Sequence, residues 1–201
     1  MSYNGHLMRQ ITCLLVAAVC AGACNHSSDA VSNKVPGSSK ASKPSLPAGW
    51  IEFKPANGTF SVYLPKQPQE QTQTLPSNLG VSGSLHMYAV DAKPTVYLVN
   101  DTVVSTQPPA GAGADEMMKG VESGFAGSTH TQVVSSKSEK IGGYQGRRME
   151  FASKDLTFKG FTIVAGKHNF VIITGGATGK FDKENIDNFL ASFEVLNPDA
   201  S

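Results

Sequence analysis

Apolar residues are densest between Ile141 and Leu196, where their spacing predicts three strands followed by one helix. Within this stretch, Phe170–Thr174 forms an apolar run that is too continuous for a strand with one solvated face. Such a run is typical of a strand that is covered on both faces. We therefore expect this strand to carry a layer on each side, and we expect Ile172 to be buried.

The helix predicted at the end of the chain has the clearest pattern. Ile186, Phe189, Leu190 and Phe193 recur at helical spacing and make one apolar stripe. Asp182 precedes them, and its carboxylate is suited to accept hydrogen bonds from the first backbone N–H groups of a helix. We expect the helix to lie on the sheet with Phe189 buried.

The rest of the domain reads mainly as strands joined by tight turns. Glycine-containing turn signals occur at Asn57-Gly58, Gly142-Gly143 and Gly166–His168, each between two predicted strands, and these signals favour antiparallel hairpins. Alternating or β-branched runs predict strands at 50–53, 59–64, 70–75, 81–91, 95–104, 131–141, 144–153, 156–165 and 169–175.

A second helix is predicted between these groups of strands. Asp115 opens it with a negative charge near its N-terminus, Met118, Val121 and Phe125 mark its buried stripe, and Gly127 ends it. The order of elements is then strands, helix, strands, helix. This order predicts an α+β fold in which a twisted antiparallel sheet is sandwiched between helices.

The size and charge of the chain limit the function classes. The chain has 201 residues and a formal net charge of +1, which gives no electrostatic reason to expect nucleic-acid binding. Residues 50–197 are enough for a single domain with a substantial core, and 198–201 form a short tail.

The N-terminal segment predicts export and lipidation. The apolar run Ile11–Ala21 is shorter than the ~20 residues that a membrane-spanning helix needs, but it has the length of a signal-peptide core. It leads into Ala21-Gly22-Ala23-Cys24, which resembles the bacterial lipobox. We predict a signal peptide at 1–23 and lipidation, palmitate included, at Cys24. The alternative is an ordinary secretory signal with incidental cysteines.

The residues after Cys24 predict a spacer. Residues 24–49 are rich in Ser, Lys and Pro and lack a hydrophobic period, so they cannot bury enough apolar surface to offset the entropy of ordering. We interpret them as a disordered tether. By resemblance to Gram-negative lipoproteins, Asn25 after the lipidated Cys24 favours the outer membrane, facing the periplasm.

Three stretches of the domain carry a resemblance to a known family. They are FKPANGTFSVYLPKQP (53–68), IGGYQGRRMEF (141–151) and FLASFEVL (189–196). Together they resemble the domain of PsbP/Mog1-like proteins and related small bacterial lipoproteins. The resemblance implies an α/β/α sandwich. It also implies an accessory or binding role, because members serve as photosystem accessory subunits, as a binder of a small GTPase, and as envelope or secretion accessory proteins.

Glycine-rich segments do not meet the spacing of nucleotide-binding motifs. In 174–180 the first glycine of a phosphate loop would stand at Thr174, and Phe181 replaces the hydroxyl residue that would hold Mg²⁺. In 111–116, Glu116 stands where the third glycine of a dinucleotide fingerprint belongs.

Other candidate residues also favour structural roles. His26, His86, His130 and His168 do not share metal-ligand spacing with another ligand along one element. Asp182, Glu184 and Asp187 cluster at a helix start, where capping and solvation explain them. For the adjacent Arg147 and Arg148, we expect an ion pair between Arg148 and Glu150, with an anion-binding arginine as the alternative.

Two function classes remain open at this point. The first is a membrane-anchored envelope lipoprotein that acts as a non-enzymatic accessory or protein-binding module, with another envelope protein as partner. The second is a ligand-binding protein or hydrolase-like enzyme whose site is assembled from distant residues. We favour the first class. Cys24 is the one functional residue that we assign, and we assign no catalytic, cofactor-binding or metal-binding residue.

Overall fold

The computed structural model describes residues 44–75, 83–104 and 112–199. The predicted signal peptide, Cys24 and most of the predicted tether lie outside these ranges. Numbered in chain order, the elements are β1 (Ile51–Phe53), β2 (Phe60–Leu64), β3 (Gln69–Leu75), β4 (Gly83–Ala92), β5 (Thr95–Val104), α1 (Ala112–Thr129), β6 (Gln132–Ile141), β7 (Tyr144–Ala152), β8 (Leu156–Ala165), β9 (His168–Ala177), α2 (Lys183–Ser192) and β10 (Glu194–Val195).

The strands form two antiparallel sheets. The larger sheet has seven strands in the order β3-β4-β5-β9-β8-β7-β6, and the smaller has three in the order β1-β2-β10. The predicted hairpins β1–β2, β6–β7 and β8–β9 are confirmed. In the β6–β7 turn, Gly142 and Gly143 have φ values of 58° and 91°, a region that residues with a Cβ rarely adopt.

The predicted fold class, a sheet sandwiched between helices, is wrong. The described chain is mostly β, with a seven-stranded sheet, a three-stranded sheet and two helices, rather than one sheet between two helical layers. One face is covered by the three-stranded sheet together with the short α2, whereas on the other α1 packs mainly on β6, β7 and β8.

The end of α2 explains part of this error. The apolar stripe continues to Phe193 in sequence, but the helix ends at Ser192 and Phe193 is extended, with φ −67° and ψ 128°. The next two residues form β10 on β2. The residues after Ser192, which the pattern predicts to be helical, therefore lead into the edge strand β10 of the small sheet.

Strand β9 is covered on both faces, as its sequence predicts. Phe170 and Ile172 are fully buried on the face of the small sheet, and Val171 and Ile173 are at most 3% exposed on the face of α1. The predicted burial of Ile172 is confirmed. The strand lies between β5 and β8, so its backbone is paired on both sides.

An aromatic cluster joins the small sheet and α2 to the large sheet. The ring of Phe60 in β2 lies 5.8 Å from Phe170, 5.4 Å from Tyr88 and 5.4 Å from Phe193, measured between ring centroids. Phe189 of α2 is fully buried, as predicted, with its ring 5.1 Å from that of Tyr97. These contacts place the two sheets and α2 around one core.

The opposite face holds a second core under α1. The ring of Phe125 lies 4.8 Å from Phe151 of β7 and 5.3 Å from Phe158 of β8. The helix begins at Ala112, three residues before the predicted start, and runs through Gly127 to Thr129. Burial of Phe125 and its neighbours outweighs the low helix propensity of the glycine.

Two core tyrosines carry raised pKa values. Burial raises the pKa of Tyr88 to about 12, with a further contribution from the negative charges of Asp101 and Glu70. Burial also raises the pKa of Tyr97 to about 12, opposed by a hydrogen bond with Thr95 and assisted by the charge of Asp182. The folded domain therefore holds both phenols neutral at pH values where the unfolded chain ionises.

This difference predicts a loss of stability at alkaline pH. The stability linked to each phenol is fully present below pH 10 and is lost as the pH rises towards 12, by up to ~2 kcal/mol for each tyrosine. Urea unfolding at pH 8 to 11.5 measures the effect, and Tyr88→Phe should make the decline less steep. Identical declines in the two proteins would show that Tyr88 does not titrate differently in the folded state.

Candidate functional site

An open cavity of about 510 Å³ lies at one end of β6 and β7. It is lined by His130, by residues 132–134 and by residues 152–154, and we call it the β6 cavity. Its walls come from the end of α1, the start of β6 and the turn between β7 and β8. In each of these three parts, a local feature of the backbone sets the conformation.

The first wall is the C-terminal turn of α1. The backbone N–H of Thr131 donates to Ala126 O at 3.0 Å, and that of His130 donates to Gly127 O at 3.4 Å. This is the hydrogen-bond pattern of a Schellman motif, in which His130 takes the left-handed position with φ 53°. The turn therefore fixes the backbone of His130 at the cavity, with its side chain exposed.

A β-bulge shapes the floor of the cavity. Pairing with β7 shifts between Val133 and Ser135, so Val134 has no opposite residue. Bulges bend a strand and redirect its side chains. Val133 is 40% exposed and Val134 is 65% exposed, which makes them two of the large hydrophobic residues at the surface of the described chain.

The second wall is the β7–β8 turn. The Ser153 hydroxyl accepts hydrogen bonds from the backbone N–H groups of Asp155, at 3.4 Å, and Leu156, at 3.1 Å. This bonding holds the turn and leaves Lys154 exposed at its tip. The residues that line the cavity thus include two exposed valines, a lysine and a histidine. Such a surface is suited to binding an apolar segment that carries a carboxylate.

A second polar cluster lies inside the core. The Asp101 side chain in β5 contacts His168 Nδ1 with Oδ1 at 2.7 Å and accepts a hydrogen bond from the Thr59 hydroxyl with Oδ2 at 3.2 Å. The side chains of Asp101 and His168 are fully buried. Leu196 and Asn197 donate their backbone N–H groups to Thr59 O. The cluster therefore connects β5, β9, the residue that precedes β2, and the C-terminal residues.

The geometry of this cluster favours a structural role over a catalytic one. In a hydrolytic triad, the nucleophile bonds the imidazole and the carboxylate lies on the far side of the ring. Here the Thr59 hydroxyl bonds the carboxylate itself, and Thr59 is fully buried. No local pattern indicates this cluster, because Asp101 and His168 are 67 positions apart.

The predicted ion pair between Arg148 and Glu150 is wrong. Arg148 Nε contacts Glu139 Oε1 of β6 at 2.7 Å, and Glu150 contacts Lys159 of β8 at 3.1 Å. Each charge finds its partner on a neighbouring strand, because strands are ~4.8 Å apart whereas residues two apart along a strand are ~7 Å apart.

Arg147 joins α1 to the sheet. Its guanidinium contacts Glu122 at 2.8 Å and Asp115 at 3.2 Å, both on α1, and donates to the Ser138 hydroxyl at 2.9 Å. A hydrogen bond with Lys119 is the main cause that lowers the pKa of Asp115, with Ser138 and the charges of Lys119 and Arg147 adding to it. Both arginines thus have carboxylate partners, which disfavours the alternative of an anion-binding arginine.

The other candidate residues occupy structural positions. The Asp182 cap is confirmed, with Oδ1 accepting from Glu184 N at 2.9 Å. A Cβ on Gly175 would lie 2.1 Å from Thr157 O, so this glycine permits close strand packing. His86 contacts the hydroxyls of Thr72 and Ser84. Among residues 44–75, 83–104 and 112–199, no group of three His, Cys, Asp or Glu side chains is placed to hold a metal ion.

Cys24, the predicted lipidation site, lies outside the described residues, as does His26. Comparison with known proteins adds no assignment: no protein-family model matches the chain, and no curated protein matches it significantly.

The buried cluster yields a stability prediction. Asp101→Asn should destabilise the domain by about 3–5 kcal/mol, because it replaces a fully buried carboxylate that contacts His168 Nδ1 and accepts the Thr59 hydrogen bond. Urea unfolding at pH 7 gives the free-energy change. Glu150→Gln is the matched control, because its ion pair with Lys159 is half-exposed, and it should cost under about 1 kcal/mol. Equal costs would contradict a structural role for the buried pair.

Proposed function

We propose that this chain is a lipid-anchored protein of the bacterial cell envelope and a non-enzymatic protein-binding or accessory module. In this proposal Cys24 carries the acyl chains, residues 24–49 form the tether, and the domain faces the periplasm from the outer membrane. The partner is another envelope protein, which binds at the β6 cavity.

The observation that carries the binding role is the exposed apolar pair at this cavity. Val133 and Val134 lie next to each other at the surface and border an open concavity. A partner that covers these two side chains would remove their apolar surface from water, which favours association. Lys154 and His130 at the rim add polar groups that can fix the orientation of a bound segment. The Ser153 hydroxyl is engaged by its own turn, which favours binding over nucleophilic chemistry at this position.

The N-terminal sequence supports the lipid anchor. The apolar run Ile11–Ala21 ends just before Cys24, so cleavage at Cys24 would remove it from the mature chain. Each buried methylene of an acyl chain contributes ~0.8 kcal/mol, and two or more chains give stable attachment where one does not.

No helix in the described part of the chain is long and apolar enough to cross a membrane.

We also propose kinship with PsbP/Mog1-like proteins, on the three stretches that resemble them. The accessory and binding roles found in that family are of the same class as the role proposed here.

Site-specific photocrosslinking in intact cells tests the proposal. A photoreactive amino acid replaces Val134 in the full-length chain, or Gln71 as the matched control, because Gln71 is exposed on the edge strand at the other side of the sheet. We expect a discrete adduct with an envelope protein at Val134 and none at Gln71. Mass spectrometry of the N-terminal peptide should show acylation at Cys24.

Separate outcomes test the binding site and the lipid anchor. Equal adducts at both positions, or none at Val134, would contradict binding at the β6 cavity. A chain with an ordinary secretory signal joined to Asn25 should lose acylation and leave the membrane fraction. If it stayed with membranes after a high-salt wash, the lipid would not be the anchor.

A further inference from the structure

The outer edge of β6 forms one edge of the large sheet. β6 is the last strand of the large sheet, and among the described residues no strand pairs with its outer side. Most of its residues are exposed, including Lys137, Ser138 and Lys140. An open edge presents unpaired N–H and C=O groups that can pair with another strand.

The bulge at Val134 divides this edge into two parts. From Ser135 to Ile141, each residue has a regular partner in β7. Before Ser135, the shift in register bends the strand, and the β6 cavity lies there. The regular part is therefore the part that can serve as a straight template for a further strand.

The charges along this regular part are self-complementary. When two copies of a strand pair antiparallel about a two-fold axis, the residue on the axis faces itself and its neighbours face each other. An axis at Ser138 places Lys137 of one copy opposite Glu139 of the second copy, and this pair occurs twice. An axis at Lys137, Glu139 or Lys140 would instead place like charges opposite each other, which is destabilising.

The position of α1 leaves room for this pairing. α1 packs on β6, β7 and β8 on one face, so a two-fold axis perpendicular to the sheet places both α1 helices on the same side. If each helix is centred over β7, three strand spacings separate them, about 14 Å. Packed helices approach to about 8–10 Å, so the two α1 helices do not collide.

We infer that the β6 edge binds the β6 edge of a second copy of this chain, antiparallel and centred on Ser138. The two seven-stranded sheets then form one continuous sheet, and the two β6 cavities lie at opposite ends of the seam. A seam of one strand on each side buries little area, so the pair is weak in dilute solution. If the chain is lipid-anchored as proposed, confinement to one membrane raises the effective concentration of the two copies.

Cysteine crosslinking of the full-length chain in membranes tests the register. In this arrangement the Cα atoms of the two copies of residue 138 are ~5 Å apart, within disulfide range. Those of residue 140 are ~14 Å apart, too far for a disulfide. Mild oxidation should therefore link Ser138→Cys chains into disulfide dimers. Lys140→Cys chains should give no more dimer than the unsubstituted chain, which measures any dimer formed through Cys13, Cys20 and Cys24.

A charge reversal tests the complementarity that defines the seam. Lys137→Glu in the Ser138→Cys chain places glutamates opposite each other, and the yield of the 138–138 disulfide should fall roughly fivefold or more. Lys167→Glu is the matched control, because Lys167 is also exposed but lies in the β8–β9 turn. It should leave the yield unchanged.

The Ser138→Cys change removes a hydroxyl that bonds Asp115 and Arg147. A second pair of variants keeps Ser138 and tests the same register. Ser136→Cys and Lys140→Cys face each other across the seam, so a mixture of these two chains should give a mixed disulfide and little of either homodimer. Equal linkage at 138 and 140, or no linkage in either design, would overturn the inference. Linkage at 138 in a chain without acylation would uphold the inference while refuting the proposed anchor.

Discussion

Strand β9 is apolar on both faces, and a strand of this kind is stable only when the sheet is covered on each side. The fully buried Phe170 and Ile172 require the cover that β1, β2, β10 and α2 provide, whereas Val171 and Ile173 require α1. Each fully buried side chain of this size contributes about 1.5–3 kcal/mol relative to exposure. The position of β9 between β5 and β8 follows from the same property, because an edge position would expose it.

The polar groups of the core then connect elements that are distant in the chain. The contacts among Thr59, Asp101 and His168 join the turn that leads into β2 to the two central strands β5 and β9. A buried pair of this kind is costly when one partner is missing, so it favours the one arrangement in which all three elements meet. The surfaces available for interaction lie at the periphery, at the β6 cavity and along the outer edge of β6.

Local patterns predicted much of this fold, because they depend on neighbouring residues. The Asp182 cap, the glycine turns and the apolar stripe at Phe189 each act within a few positions. The layer arrangement could not be predicted in this way, because Phe193 continues the stripe in sequence while its backbone is extended. The Asp101–His168 pair and the Arg148–Glu139 pair depend on strand order, which local periodicity does not encode. The cavity had a faint signal, two adjacent valines that break the alternation at the start of β6.

Native-state hydrogen exchange of the full-length protein in detergent tests most directly whether β9 is the centre of the structure. The account predicts that the amides of residues 170–173 exchange only through global unfolding, with an opening free energy equal to that from urea denaturation. The amides of the exposed edge strand β3 should exchange at much lower opening free energies. Exchange of residues 170–173 through local opening, at free energies no higher than those of β3, would contradict the account.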